Sequence, residues 1–237
     1  MTAADMAGLL LAIDTSTSRT VLALGAQDGP LVAVDTWAAG HRHVEELLPR
    51  LDVFFDERGL DRSALARLSG IVVGTGPGAF TGLRVGISTA KALAVAFGLP
   101  LAAIGSGAAL LAAAAAAEPA TDPSRFVVVM PAGPTGRYLV TVAGTRLVTG
   151  DDGLEDPIEL VPVAVDLVGR APEAAVARGE AAMDRLPGTI LRLGGARIAV
   201  GRADDPVFVV PEYVSLPRGA AGAPGGEVVT TWSSAHQ

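Results

Sequence analysis

The hydrophobic positions near the start of the chain form three short runs separated by polar turns. The runs are LLLAID (9–14), RTVLALGA (19–26) and LVAVDTWA (31–38). Short apolar runs bounded by turn residues are typical of β-strands. The hydroxyl-rich turn 15–18 and the Asp28-Gly29 pair are short connections, so we predict an antiparallel meander of three strands.

Beyond the meander, the apolar positions recur at helical spacing and then alternate between strands and helices. This pattern predicts helices at 41–58 and 79–97, strands at 69–74 and 100–104, and an alanine-rich helix after residue 105. A meander followed by parallel strand–helix units gives a mixed sheet with helices on its faces. We therefore predict an α/β fold.

The second half of the chain has a less regular pattern. Apolar runs predict strands at 126–130, 137–144, 158–168 and 208–216. The segment PEAAVARGEAAMDRL (172–186) fits either a helix or a strand followed by a helix. These elements are enough for a second, smaller structural unit after the alanine-rich helix.

Composition sets the domain organisation and limits the classes of function. We predict an N-terminal lobe at 1–110, a smaller C-terminal lobe at 111–217 and a disordered tail at 218–237, which is rich in Gly, Ala, Pro and Ser. A net charge of −7 disfavours direct binding of nucleic acid by this chain alone. The absence of cysteine excludes a disulfide scaffold and a thiolate metal site.

Two further features bear on localisation and on metals. The uncharged stretch 92–117 has the length of a membrane span, but glycines and Pro100 interrupt it, so we interpret it as helix, strand and helix. No positively charged region opens the chain, and we expect a cytoplasmic protein.

The histidines are His41, His43 and His236. On a helix the first two point to different faces, so we expect no metal site.

The glycine-rich segment GTGPGAFTGLR (74–84) connects a predicted strand to a predicted helix. A P-loop would need Lys followed by Ser or Thr, and the segment contains neither in that place. A dinucleotide fingerprint would need an acid at the end of the next strand, where the chain has Ile104-Gly105-Ser106. We therefore interpret Gly76, Pro77 and Gly78 as a tight structural turn.

The helix after this turn carries Gly82, Gly86, Ala90 and Ala94 at intervals of four residues. Such a small-residue stripe lets another helix approach closely, because side-chain bulk limits the distance between helices. Two interpretations remain open. Either the stripe packs inside its own domain, or it contacts a partner chain together with the helix at 41–58.

Four segments resemble the bacterial TsaB (YeaZ) family, and together they cover roughly residues 9–117. The longest is the most specific and includes Lys91. The four are LLLAIDTSTSRTVLAL (9–24), His43 with Glu46-Leu47-Leu48-Pro49, GTGPGAFTGLRVGISTAKALA (74–94), and the strand beginning at Pro100.

The resemblance implies the actin-like ATPase and sugar-kinase superfold, with two related lobes that each contain a mixed, five-stranded type of sheet. It also implies a non-catalytic subunit required for threonylcarbamoylation of the tRNA adenosine beside the anticodon. TsaB proteins bind the catalytic paralogue TsaD, the ATPase TsaE joins them, and TsaB alone forms homodimers. The implied contact is a bundle of four helices, two from the N-terminal lobe of each partner.

The resemblance and the stripe together imply a set of partner-contacting residues. On this view, Gly86→Arg abolishes TsaD binding and leaves the chain folded. The expected contact residues are His43, Leu47, Leu48, Leu51, Gly82, Arg84, Gly86, Ala90, Lys91 and Ala94.

The superfold also implies a nucleotide site at the end of the first strand. There an acid faces a nucleotide-bound Mg²⁺ and the following turn donates hydrogen bonds to phosphate. In this chain Asp14, Thr15 and Ser16 have those places, with ATP or ADP and Mg²⁺ as the implied cofactors. The alternative is that Asp14 accepts hydrogen bonds from its own hydroxyl-rich turn.

The second half departs from the family pattern. The run 130–138 lacks the family's Asp and Arg, and Pro131 stands where a kinase-like enzyme would carry an acid. Pro211-Glu212-Tyr213-Val214 resembles the family's C-terminal segment. We therefore favour the scaffold subunit over a weak ATPase or kinase-like enzyme of the same superfold.

Overall fold

A computed structural model describes most of the chain. The described residues are 8–26, 31–39, 42–60, 65–149 and 160–214, with backbone only at 43 and 44. The predicted tail at 218–237, His41 and His236 lie outside the described residues, as does the side chain of His43.

The first sheet has the order β3-β2-β1-β4-β5. Strands β1 to β3 form the predicted antiparallel meander, and β4 and β5 continue the sheet in parallel with β1. The hydrophobic pattern thus predicted each strand to within one residue. The bounds are β1 (Leu9–Asp14), β2 (Arg19–Ala26), β3 (Leu31–Ala38), β4 (Gly70–Gly74) and β5 (Leu101–Ile104).

Three helices accompany this sheet along the chain: α1 (His43–Asp56), α2 (Phe80–Phe97) and α3 (Ser106–Ala117). Helix α2 ends because Gly98 adopts the left-handed conformation (φ 63°) and its N–H caps the carbonyl groups of the last turn. The division of the apolar stretch 92–117 into helix, strand and helix is confirmed.

The second sheet repeats the topology of the first. Its order is β8-β7-β6-β9, in which β6 and β7 pair antiparallel and β6 and β9 pair parallel, as β1 does with β2 and β4. The described residues give this sheet four strands where the sequence predicted a five-stranded type. The bounds are β6 (Phe126–Ala132), β7 (Gly136–Thr141), β8 (Gly144–Thr149) and β9 (Val161–Ala164).

Three predicted strands of the second half were wrong in their bounds or their existence. Of the run 158–168, only Val161–Ala164 is a strand within the described part, 160–168. The run 137–144 contains β7 except for its first residue, then the turn at 142–143, and then Gly144 (φ 132°), the first residue of β8, which pairs with Thr141. The run 208–216 forms no strand over its described part, 208–214. That segment is held by contacts to α2 and to the loop after β4, described below, and not by a sheet.

The long helix α4 (Glu173–Ala199) joins the two sheets into one structure. It continues past the predicted end at Leu186 because its small residues fit against both sheets. A Cβ atom at Gly179 would lie 1.9 Å from the Ala164 carbonyl oxygen, and one at Gly194 would lie 2.4 Å from Val72.

One hydrophobic core therefore spans both halves of the chain. It brings together buried side chains of β1, β6 and α4, including Leu10, Val128 and Ile190. The predicted boundary at residue 110 falls inside α3, whose alanine side chains are part of the same core.

Candidate functional site

The small-residue stripe of α2 faces its own lobe. Ala90 and Ala94 are buried in the core of the first sheet. Thr15 Oγ1 donates a 2.7 Å hydrogen bond to the Gly82 carbonyl, and a Cβ atom at Gly86 would lie 2.3 Å from that hydroxyl. The prediction that Gly82, Gly86, Ala90 and Ala94 contact a partner is wrong, because the β1–β2 turn and the sheet already cover them.

The outer face of α2 is also poor in bulky side chains, and it is exposed. Ser88, Ala92 and Ala96 recur at intervals of four residues along this face. Val95 lies beside them and is 71% exposed. The sequence predicted an exposed row of small residues on the side of α2 that is buried. The structure has such an exposed row on the opposite side of the helix.

Helices α1 and α2 form an open groove between them. Leu48 is 56% exposed and lines the groove with Ala92 and Ala96, and the groove has a volume of about 830 Å³. Leu51 and Phe55 form its floor and are buried. We call this groove and the outer residues Ser88, Ala92, Val95 and Ala96 the two-helix face.

Leu47 does not belong to the two-helix face. Its side chain is 0% exposed and packs in the core of the first lobe. The prediction that it contacts a partner is wrong, because consecutive helical residues point about 100° apart and Leu48 has the outward position.

Arg84 and Lys91 hold the C-terminal segment 204–214 against α2. Lys91 Nζ donates to the Val209 carbonyl at 3.1 Å, and Arg84 Nε donates to the Tyr213 hydroxyl at 3.3 Å. The Arg84 guanidinium also lies 3.8 Å from the centroid of the Phe80 ring. Both cations thus have partners within the chain, and a partner-contacting role for them stays a prediction.

The β1–β2 turn is sealed by hydrogen bonds within the protein. Asp14, Thr15 and Ser16 are almost completely buried. Asp14 Oδ1 accepts hydrogen bonds from the Ser16 N–H (2.9 Å) and the Ser16 hydroxyl (2.7 Å), as the alternative interpretation expected. A Cβ atom at Gly78 would lie 1.9 Å from the Ser16 carbonyl oxygen, so the glycine loop covers the turn.

The turn is therefore closed to solvent by the glycine loop, and a nucleotide bound by Asp14, Thr15 and Ser16 stays a prediction. The loop that covers the turn has the structural role predicted for Gly76, Pro77 and Gly78. Gly76 has φ 106°, a conformation that favours glycine, and its carbonyl accepts from the Gly107 N–H at 3.1 Å.

A second contact fixes the same turn to the other lobe. Asp166, which follows β9, accepts hydrogen bonds from the N–H (2.7 Å) and the hydroxyl of Ser18. Arg19 forms ion pairs with Glu180 and Asp184 of α4. Sequence reasoning missed Asp166, although a signal existed: LLLAID and VPVAVD are both apolar runs that end in an aspartate at the end of a strand.

A cleft of about 630 Å³ lies between the lobes, beside the sealed turn. Phe80 and Leu83 of α2 line one side, and the β6–β7 turn (132–136) lines the other. Glu212 and Tyr213 also line the cleft. Burial raises the pKa of the Glu212 carboxyl above its ordinary value, and the hydrogen bond from Thr145 opposes this only in part.

Two further predictions from the sequence concern metal ions and membrane spans. Within the described ranges, no group of three His, Cys, Asp or Glu side chains is placed to hold a metal ion. Helix α2 alone among the described helices has the length and apolar composition of a span. Its Leu83 and Ile87 are buried in the protein, so core packing accounts for that composition.

Solved structures with this arrangement define the class of fold. YeaZ from Pseudomonas aeruginosa superposes with a TM-score of 0.63 at 24% identity, covering 87% of this chain and 99% of that one. A second P. aeruginosa structure, of an uncharacterized protein with similarity to peptidase YEAZ, gives 0.64 at 23% identity, covering 88% of this chain and all of that one. With two sheets of matching topology, the predicted α/β fold with two related lobes is confirmed, and it is the fold of these YeaZ-type structures.

A family model then gives the family. The model for TsaD, tRNA N6-adenosine threonylcarbamoyltransferase, matches residues 37–179, and the chain belongs to this family.

Curated relatives refine the position within the family. TsaB of Haemophilus influenzae, a tRNA threonylcarbamoyladenosine biosynthesis protein, is 36% identical over 92 residues, which are 39% of this chain and 37% of that protein. An uncharacterized Mycobacterium leprae protein is 41% identical over 100 residues, covering 39% of this chain and 26% of that protein. The resemblance to the TsaB (YeaZ) type is confirmed, and the matches span well under half the length of these relatives.

Proposed function

We propose that this chain is a non-catalytic subunit of the machinery that makes threonylcarbamoyladenosine in tRNA, and that it acts by binding a TsaD-type partner through the two-helix face. The observation that carries the proposal is the exposed groove between α1 and α2, with Leu48 at its edge. Membership of the TsaD family and the TsaB-type relatives support the biosynthetic role.

The chemistry of the two-helix face suits a second pair of helices. The outer positions Ser88, Ala92 and Ala96 are small and exposed, so a partner helix packs closely against α2. Leu48 and Val95 supply apolar area that docking removes from water. An interface of ordinary size buries about 1,600 Å² in total, and a pair of helices on each side has the extent for this.

The sealed β1–β2 turn supports a role without catalysis by this chain. Its buried Asp14 and Ser16 bond to each other, which leaves the transfer chemistry to the partner. We propose that TsaE joins the assembly and that the two-helix face closes a homodimer when no partner is present.

The test is Ala92→Arg, which places a long cation in the centre of the two-helix face. We expect the affinity for TsaD, measured by calorimetry, to fall by at least about 100-fold, or roughly 2.7 kcal/mol. The homodimer measured by light scattering should dissociate in the same variant.

The matched control is Ala177→Arg, at an exposed alanine of α4. It makes the same chemical change on another helix and should bind TsaD like the unmodified chain. Full TsaD binding by Ala92→Arg would show that the two-helix face is not the contact, and turnover of ATP by the isolated chain would contradict the non-catalytic role.

A further inference from the structure

The interlobe cleft has features that partner binding does not explain. It is lined by parts of both lobes, and its volume of about 630 Å³ lies within the range of small-molecule sites. Its walls include the aromatic side chains Phe80, Tyr138 and Tyr213. One acidic side chain, that of Glu212, lies among them.

Glu212 forms hydrogen bonds with its backbone and its side chain, but it has no ion-pair partner among the described residues. Its backbone N–H donates to the Thr75 carbonyl at 2.8 Å, and its Oε1 accepts from the Thr145 hydroxyl at 3.0 Å. No ion pair with Glu212 occurs among the residues that the structure describes. A half-buried carboxylate without a cation loses hydration and gains little in return, which is why its pKa is raised.

The aromatic wall next to Glu212 favours positive charge. The centroids of the Phe80 and Tyr213 rings are 5.7 Å apart with 42° between the ring planes, and the two residues remain 40% and 37% exposed. The faces of aromatic rings attract cations because of their quadrupole. Arg84 already uses one face of Phe80 in this way, from a position outside the lining of the cleft.

We propose that this interlobe cleft binds a small organic cation, an amine or amidine carried on a planar ring, with Glu212 as its charge partner and Phe80 and Tyr213 as its aromatic wall. Polyphosphates are disfavoured, because no Lys, Arg or His is among the described residues that line the cleft, and the adjacent Arg84 is already engaged by Phe80 and Tyr213. The cation supplies an ion-pair partner, which no described residue gives the Glu212 carboxylate. This site is independent of the two-helix face and does not rest on the proposed function.

The test uses benzamidine as the probe on the full chain at neutral pH. Calorimetry should show saturable binding that is at least about tenfold tighter than for benzamide, its neutral analogue of similar shape, and no binding of benzoate. Glu212→Gln keeps the acceptor for Thr145 and removes the charge, so benzamidine affinity should fall at least about tenfold. Glu45→Gln, at an exposed carboxylate of α1, is the matched control and should bind normally.

Equal affinity for benzamidine and benzamide, or unchanged benzamidine binding by Glu212→Gln, would overturn the proposal. If Glu212→Gln does not fold, NMR shifts of the unmodified chain decide: benzamidine must perturb Phe80 and Tyr213, and perturbation elsewhere alone contradicts the site. Ala92→Arg should retain benzamidine binding, so failure of the partner surface and failure of the cleft are distinguished.

Discussion

The sequence singled out the β1–β2 turn as functional and predicted only Leu48 and Leu51 of the two-helix face, and the fold treats the two regions in opposite ways. The turn is polar, yet Asp14 and Ser16 are buried and bond to each other. The two-helix face is apolar in part, yet Leu48 and Val95 are left exposed. The polar region is closed and the apolar region is open.

The difference shows which kind of residue still needs a partner. The donors of this turn bond to acceptors within the protein, such as Asp14, the Gly82 carbonyl and Asp166, so its polar composition alone does not indicate a ligand. An exposed apolar groove has no such internal solution, since only another surface removes it from water. The open face is therefore the better candidate for interaction, and the following changes test the contrast.

The largest effect is expected for Gly86→Arg, which forces a long side chain into the closed region. Even a Cβ atom would lie 2.3 Å from Thr15 Oγ1. Overpacking by a few methylenes costs about 1–3 kcal/mol, and a buried, unpaired guanidinium adds several more. We expect loss of the folded state, measured by thermal unfolding and by solubility.

The control for Gly86→Arg is Ser88→Arg, two residues further on and on the exposed face. It should fold with a Tm within about 2 °C of the unmodified chain, because its side chain extends into solvent. A stable Gly86→Arg would mean that the closed region opens easily, and the contrast between the regions would be lost.

The next effect compares two neighbours on α1. Leu47→Ala leaves a cavity in the core and should lower the free energy of unfolding by about 2–5 kcal/mol in urea titrations. Leu48→Ala should change it by no more than about 0.5 kcal/mol, because Leu48 is exposed. Similar losses for the two variants would show that α1 has no separate inner and outer face.

A smaller effect is expected for Asp166→Ala, which removes the contact from the second lobe to the closed turn. Asp166 has φ 57°, a left-handed conformation that costs about 1–2 kcal/mol for residues other than glycine. Alanine keeps that cost and loses the two hydrogen bonds from Ser18, so unfolding should require about 1–2 kcal/mol less.

Asp166→Gly is the matched variant, because it loses the same hydrogen bonds but relieves the backbone. It should be about 1 kcal/mol more stable than Asp166→Ala. Unchanged stability of Asp166→Ala in urea would show that the contact between turn and second lobe contributes nothing to the closure.

The smallest effect concerns Glu212, at the border between the closed turn and the open cleft. Its folded-state pKa is raised above the ordinary value of 4.5, so the folded protein binds this proton more tightly than the unfolded chain. The contribution of the neutral Glu212 carboxyl to the free energy of unfolding is fully present below about pH 4.5. It is lost as the pH rises through the folded-state pKa. Glu212→Gln should therefore raise the Tm by roughly 2 °C near pH 8.

The pH dependence provides the internal control for Glu212→Gln. The gain in Tm should shrink as the pH falls towards 4, where Glu212 is neutral in both folded and unfolded protein. A gain of the same size at both pH values would indicate a packing effect and not the ionisation of the carboxyl.

Much of the fold was predictable because its strands and helices are marked locally. Strands β1, β2 and β3 have the predicted bounds, and α2 differs from its prediction by one residue. The later strands were harder, because the β7–β8 turn and the length of α4 depend on packing. Gly179 and Gly194 look like helix breakers in the sequence, but they allow α4 to approach the sheets.

The sequence by itself determined the order of the strands and helices up to residue 117, the resemblance to the family and the residues that share each helix face. Only the tertiary structure decided that Gly86 faces inward and Ser88 outward, that Asp166 reaches Ser18, and that Glu212 joins Thr145 in a cleft. The physical reason is the separation along the chain of the residues that interact. Helical and strand periods follow from neighbouring residues, whereas the side of a helix that meets the sheet depends on contacts between residues far apart in the chain.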